Sequence, residues 1–222
     1  MTNRPPPGIL FQSDIVLVID KPAGLAVHAG PGKGASLEDF LPALQMGKRH
    51  LPQPAHRLDQ DTAGCLVLGR TKPALAELGG FFARGEARKT YWAVLLGAVA
   101  GDTGRIDAPL LKVSSKKAGW RMVVDPKGQS ARTAWRVLGR GDALTWVEFQ
   151  PETGRTHQLR AHARHIGHPI LGDARYGGGD GAMQLLARRI QLPGSSAPAT
   201  PPIDATAPIP AHMRKAIAAC GG

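Results

Sequence analysis

Apolar residues in this chain gather in short runs of β-branched and aliphatic side chains, separated by glycine, proline and charge. Residues 9–20 end in Ile15-Val16-Leu17-Val18-Ile19, a continuous run of the kind that forms a buried strand. Lys21-Pro22-Ala23-Gly24 is a turn, and Leu25-Ala26-Val27-His28 is a candidate return strand. After a glycine-rich loop, Ser36 and Asp39 make a capping box for a short helix reaching about Gln45. Pro52 and Pro54 exclude a central strand or helix interior, so the chain arrives as irregular backbone at His56-Arg57-Leu58-Asp59-Gln60-Asp61-Thr62-Ala63-Gly64. A buried strand, Cys65-Leu66-Val67-Leu68, leaves it. Thr71 and Pro73 open the next helix, with Leu75, Leu78 and Phe82 on one face, and Gly85 stops it.

The second half reads as short strands between turns. Residues 88–96 begin polar and become apolar, as a strand entering a core does. Residues 97–111 are turn-rich. Lys112, Lys116, Lys117 and Arg121 then form a basic stretch around Trp120. A strand at 121–124 is followed by the turn Asp125-Pro126-Lys127-Gly128, and 131–138 forms a hairpin with 144–149. Leu159, Ala163 and Ile166 fit a helix begun near Thr156 and ended by Gly167. Residues 184–192 fit a strand or a helix, since periodicity does not decide. The Pro-, Ala- and Ser-rich stretch 193–210 has the composition of a linker, and 211–219 fits a short terminal helix. Short strands with inserted helices predict an α+β domain with an antiparallel or mixed sheet.

At 222 residues and 42% hydrophobic content the chain suits one domain with a sizeable core. Charge changes this picture most. The 28 Lys+Arg against 17 Asp+Glu give a net charge of +11, which favours a polyanionic partner, nucleic acid before a membrane surface. No basic amphipathic helix and no apolar run of roughly 18 residues is present. The N-terminus lacks an apolar signal region. Two cysteines, Cys65 and Cys220, are too few for a disulfide framework. The expectation is a cytoplasmic protein with reduced thiols. With neither GxGxxG nor a P-loop, no nucleotide cofactor is expected.

The loop around Asp59 is the candidate site. Five polar side chains are held in a short loop beside a core strand, where a rigid scaffold positions them. Arg57 and His56 are placed to keep Asp59 ionised, and a carboxylate serves as nucleophile or proton acceptor. The bland account is that Asp59, Asp61 or Thr62 ties down a turn, and for Asp61 and Thr62 it is preferred. A kinase catalytic loop is excluded by the order His-Arg-Leu-Asp, without a glycine-rich loop or an Asp-Phe-Gly. Four histidines at 157–168 raise zinc, but HExxH is absent and no carboxylate or thiol completes a ligand set, so no metal is expected.

HRLDQDTAG followed by CLVLGRT resembles the catalytic motif of the RluA-type pseudouridine synthases, His-Arg-Leu-Asp, two variable residues, Thr-Ser-Gly. Ala63 replaces the usual Ser. Three further segments resemble the family in its own order. They are the Lys-Pro-x-Gly-x-x-x-His at Lys21 to His28, the Lys-x-Tyr-x-Ala at Lys89 to Ala93, and Thr-Gly-Arg-Thr-His-Gln-Leu-Arg-x-His followed by Gly-His-Pro-Ile and Gly-Asp-x-x-Tyr-Gly, ending at Gly177. A His that the family often carries near Leu186 is absent, and for the stretch with a linker's composition the resemblance implies instead a loop followed by one more strand around Ile203 to Ala207.

The resemblance implies a pseudouridine-synthase-like α+β fold, a long mostly antiparallel or mixed sheet with flanking helices and a central cleft. It implies one catalytic domain over 9–222 after an extended or disordered 1–8, without the small N-terminal RNA-binding domain of some members, since only about a dozen residues precede the first strand. The activity implied is isomerisation of uridine to pseudouridine in a tRNA or large-subunit rRNA stem-loop, with the base flipped out. Asp59 falls on the catalytic position, Arg155 on the Arg that pairs with it, and Tyr91 on the Tyr that lies against the base. Leu159 lines the base pocket and Arg57 fills the space the base leaves. His56, Thr62 and Lys89 fall on the substrate side, while Arg160 and His162 are structural or phosphate-facing. The implied enzyme needs no cofactor, takes RNA as partner, neither DNA nor membrane, and is a monomer by default. The alternative is a non-catalytic RNA-binding domain on the same scaffold. A metal hydrolase built on the histidines ranks third.

Overall fold

Val16 to Ile19 and Leu66 to Leu68 have no exposed surface, so the strands that carry them are covered on both faces. That is why both read as unbroken apolar runs rather than alternating ones. The computed structural model describes residues 5–30, 34–115, 119–196 and 199–222. In chain order, β1 (Gly8–Gln12) and β2 (Val16–Lys21) are joined through Ser13, whose Oγ accepts from the Val16 amide at 3.0 Å. The single run expected over 9–20 is thus a hairpin. Ser36 caps a 3₁₀ turn (Leu37–Phe40) that continues into α1 (Leu41–Gln45), and its amide donates to Asp39 Oδ2 at 2.9 Å, as the capping box predicts. The bridge β3 (Gln53–Pro54) precedes β4 (Ala63–Gly69) and α2 (Lys72–Ala83). Thr71 Oγ1 caps α2 by accepting from Ala74 N at 3.3 Å.

The chain continues through β5 (Arg88–Leu96), β6 (Thr103–Asp107), β7 (Leu110–Ser115), β8 (Gly119–Val124), β9 (Arg132–Arg140) and β10 (Leu144–Pro151). Then follow α3 (Gln158–His165), β11 (Leu185–Leu192), the short pair β12 (Ser195–Ser196) and β13 (Ala199–Thr200), β14 (Ile203–Thr206) and α4 (Ala211–Ala218). Three expectations change and one open alternative is decided. Residues 25–28 pair with no strand and make only a bridge from Ala26 to Ser36. The turn-rich 97–111 contains β6, and the basic stretch belongs to the hairpin β7–β8. Lys116 and Lys117 lie outside the described residues. Residues 184–192 are mostly strand, one of the two readings left open, and the stretch with a linker's composition supplies β14 where the resemblance implies a strand, paired with β11 from Arg189↔Thr206 to Leu192↔Ile203. Finally, α2 buries Ala74, Leu78 and Phe81, a face turned from the one expected.

The described chain forms two compact units, Met1–Lys89 with Ala187–Pro208, and Thr90–Leu186 with Ile209–Gly222. In the first, β2 pairs with β1 on one side and β4 on the other, all antiparallel, with Asp20↔Cys65 and Lys21↔Gly64 in register. In the second, β5, β10, β9 and β6 are consecutive antiparallel neighbours, with Tyr91↔Phe149 in register. Its core gathers Leu95, Val147, Phe149, Leu159 and Ile170. Each such side chain contributes about 1.5–3 kcal/mol on full burial. Among the described residues no helix is long and apolar enough to cross a membrane.

Candidate active site

Asp59 sits half-buried in the turn that leads into β4, and its carbonyl accepts from Thr62 N at 3.1 Å. Thr62 is buried and helps start the strand, in keeping with the turn reading. The clamp on this loop comes from Lys21, the last residue of β2. Its side chain is fully buried, and its Nζ donates to Leu25 O at 2.8 Å, Gln60 O at 2.9 Å and Pro22 O at 3.0 Å. All three ammonium hydrogens are therefore used on carbonyls. Gln60 answers from the other side: its carbonyl also accepts from Gly24 N at 2.9 Å. Gly24 has φ +81, which the turn requires and glycine takes without strain. Burial lowers the Lys21 pKa to about 8, while the Asp61 and Asp59 carboxylates act to raise it.

His56 does something other than expected. Its Nε2 accepts from Val67 N at 3.1 Å, which places the proton on Nδ1, and its ring lies 4.5 Å from that of Phe82. Burial lowers its pKa to about 4, with Lys89 acting in the same direction. His56 is thus neutral near pH 7 and cannot supply the positive charge expected of it beside Asp59. It braces β4 against α2 instead. Lys21 is a buried cation on which the Asp61 and Asp59 carboxylates act. Lys89, at the start of β5, is itself depressed by burial, and Arg57 is exposed.

The second unit holds Tyr91, Arg155 and Leu159. Tyr91 packs from β5 against the core cluster of which Leu159 is a member. Arg155 lies in the loop before α3, exposed, with Nε donating to Ser130 O at 3.0 Å. Gln158 frames that loop. Its Oε1 accepts from Arg155 N at 3.0 Å and Thr153 Oγ1 at 2.7 Å, and its Nε2 donates to Arg132 O at 2.9 Å and Thr133 Oγ1 at 3.0 Å.

His157 enters α3 with φ 51, a left-handed conformation uncommon outside glycine. Its Nδ1 is 3.0 Å from Tyr176 Oη, and its ring stacks on Trp120 at 4.7 Å. Arg160 and Asp173 form a buried two-point pair at 2.7 and 2.8 Å. His162 spends both nitrogens, on Thr133 Oγ1 at 2.9 Å and Ala108 O at 3.0 Å, and burial lowers its pKa. Arg160 and His162 are therefore structural, the first of the two roles open to them.

Residues 15–165 match the family model for RNA pseudouridylate synthases. The chain belongs to the RNA pseudouridine synthases, in their RluA-type branch. These are isomerases that act on uridine in RNA. The chain is 46% identical over 170 residues to an uncharacterized RNA pseudouridine synthase of Zymomonas mobilis, covering 76% of this chain and 78% of that one. It is 40% identical over 170 residues to ribosomal large subunit pseudouridine synthase C of Yersinia pestis, covering 76% of this chain and 52% of the relative. It spans about half the length of that relative and of its counterpart in Vibrio cholerae, also 52% covered. The human RNA pseudouridylate synthase domain containing 4 structure superposes with a TM-score of 0.79 at 26% identity, covering 96% of this chain and 93% of that one. The α+β fold implied by the motifs is thus the observed one.

Sequence reasoning placed Lys21 in a family motif without giving it a task, and passed over Gln60 and Gln158. A signal for Lys21 existed: a lysine that ends an apolar run and precedes proline is poorly placed to reach water.

Proposed function

We propose that this synthase converts uridine to pseudouridine in a structured RNA in the cytoplasm, with Asp59 as the essential group and the target base flipped out of its stack. The observation that carries the reading is the Lys21 clamp, which ties the backbone carbonyl of Gln60, the residue after Asp59, to the turn that closes β2 and so holds the half-buried Asp59 on a braced loop. Relatives named as ribosomal large subunit synthases favour large-subunit rRNA over tRNA as the target.

The chemistry needs no external group. The N-glycosidic bond breaks, the uracil turns while held, and a bond forms from C1′ to C5. The C5 proton leaves and N1 gains one, so atoms balance within substrate and solvent. Asp59 either adds to C1′ or removes the C2′ proton. Arg155 pairs with Asp59 and keeps it ionised and oriented. Tyr91 stacks on the freed uracil and accepts the C5 proton, and Leu159 closes the apolar side. Arg57 occupies the gap left in the RNA, because a base inside a stacked helix is out of reach. Lys89, His56 and Thr62 border the substrate side of the loop, His56 as a neutral ring.

The deciding experiment maps pseudouridine in total rRNA and tRNA from cells with and without the gene, complemented by wild type or Asp59→Asn. One or a few uridines should lose the modification and regain it with wild type alone. Restoration by a folded Asp59→Asn protein refutes the assignment of Asp59.

A further inference from the structure

Arginines in the second unit fall into two classes. On its sheet, Arg105 and Arg132 pair with Glu152, Arg136 with Glu148 and Arg140 with Asp102, while Arg160 is buried against Asp173. Arg121, Arg164 and Arg175 belong with Arg155 and Arg214, which have no ion-pair partner among the described residues, and differ from those two in sharing one groove. All three are exposed, and among the described residues none is ion-paired. They converge on one groove of about 590 Å³ between β8, α3 and the turn at 174–177. His165 joins them in its lining, Met122 and Ala161 give it an apolar floor, and among the described residues no carboxylate lines it. Three unneutralised guanidinium groups around one concavity repel one another unless an anion occupies it.

The rim points to the kind of anion. Trp120 is half-buried, with Lys112 Nζ 5.0 Å and Arg175 Cζ 5.2 Å from its ring centroid and His157 stacked on it. Arg175 also donates to Trp120 O, which fixes its guanidinium at the mouth while leaving further N–H donors outward. Arg164 lies beside Gly177, where a Cβ would come within 3.2 Å of its Nη1. Several separate cations over an apolar floor suit a run of phosphates with sugars between them better than one small anion. None of Asp59, Tyr91 or Arg155 lines the groove.

We propose that this groove is an accessory binding site for the RNA sugar–phosphate backbone, in which Arg121, Arg164 and Arg175 each neutralise a phosphate of a strand remote from the flipped uridine. The proposal rests on RNA being the substrate. Such contacts fix register and orientation without reading sequence.

Full-length wild type, the triple variant Arg121→Gln/Arg164→Gln/Arg175→Gln, the corresponding triple Lys variant and Arg214→Gln on α4 are titrated with bulk tRNA and purified rRNA from 50 to 300 mM NaCl, a range set by the salt sensitivity of phosphate contacts. Each lost phosphate contact lowers the slope of log Kd against log salt by about 0.7–1. The Gln triple variant should lose about 2–3 from the slope and bind at least about tenfold more weakly at low salt. The Lys triple variant should retain most of the slope, because the slope counts charges, and Arg214→Gln should match wild type. A Gln triple variant with wild-type melting temperature and slope overturns the proposal, as does a Lys triple variant as weak as the Gln one. Pseudouridine formation by wild type in the same RNAs is scored separately. Its absence rejects those RNAs as targets and leaves the salt-slope result to decide the groove.

Discussion

Lys21 Nζ lies 2.9 Å from the carbonyl oxygen of Gln60, a residue 39 positions further along the chain. A turn closing the first buried strand thereby holds the peptide immediately after Asp59. The cost of burying an ammonium group is offset only in part by three carbonyl acceptors and by two nearby carboxylates, since burial still lowers its pKa to about 8.

Lys21→Met should leave three carbonyls without their donor. An orphaned buried acceptor costs about 1–3 kcal/mol, and because the three share one site the loss should total about 2–4 kcal/mol. Urea denaturation measures it. Pseudouridine formation should fall together with stability, and Lys21→Arg should not rescue either, since a planar guanidinium does not fit where the ammonium is fully enclosed.

Two groups whose pKa values burial lowers each make stability rise with pH, in separate windows. His56 is lowered from an ordinary 6.5 to about 4, so between those values the unfolded chain binds the extra proton and stability falls as pH drops through the window. Lys21 is lowered from 10.5 to about 8, so between those values the unfolded chain again binds more protons and stability rises with pH. His56→Asn should flatten the acid side of the urea-midpoint profile, and Lys21→Met the alkaline side. A wild-type profile level from pH 4 to 6.5 would contradict the neutral assignment of His56.

Asp173→Asn removes one partner of the buried pair and should cost about 3–5 kcal/mol, because Arg160 is left charged and enclosed. Replacing both, as Arg160→Met/Asp173→Leu, should recover most of that loss. Equal destabilisation in single and double variants would mean the pair is needed for its hydrogen bonds rather than for charge balance.

Tyr91→Phe keeps the ring that packs against the Leu159 cluster and removes only the hydroxyl. If that hydroxyl accepts the C5 proton, kcat should fall by about 10²–10⁴ with KM little changed, the range typical of a lost general base. A kcat within a few-fold of wild type would restrict Tyr91 to stacking.

Both buried strands of the first unit were legible because enclosure on two faces writes itself as unbroken apolar sequence, and Thr71 and Ser36 announced their helices through cap chemistry. The strand β6 was missed because only Ile106 of its five residues is buried, which leaves no alternation to detect. The α2 face was misjudged because Ala74 counts for little on a hydropathy scale yet sits fully buried, while Phe82 is drawn aside to His56. Asp59 was singled out by its polar loop beside a core strand, whereas Tyr91, Leu159 and Arg155 were put forward only through family resemblance. The task of Lys21 was not, since a residue pattern records that a lysine is present and not that three carbonyls from two segments converge on it.

Each unit is discontinuous: the first is completed by Ala187–Pro208 and the second by Ile209–Gly222. On the ribosome, the first unit cannot close until residues 187–208 have emerged, nor the second until residues 209–222 have. The apolar strands β2 and β4 must wait for that later segment, which leaves little room for stepwise folding during elongation. A message cut before codon 209 would spare the Asp59 loop in sequence yet deny the second unit its closing helix α4.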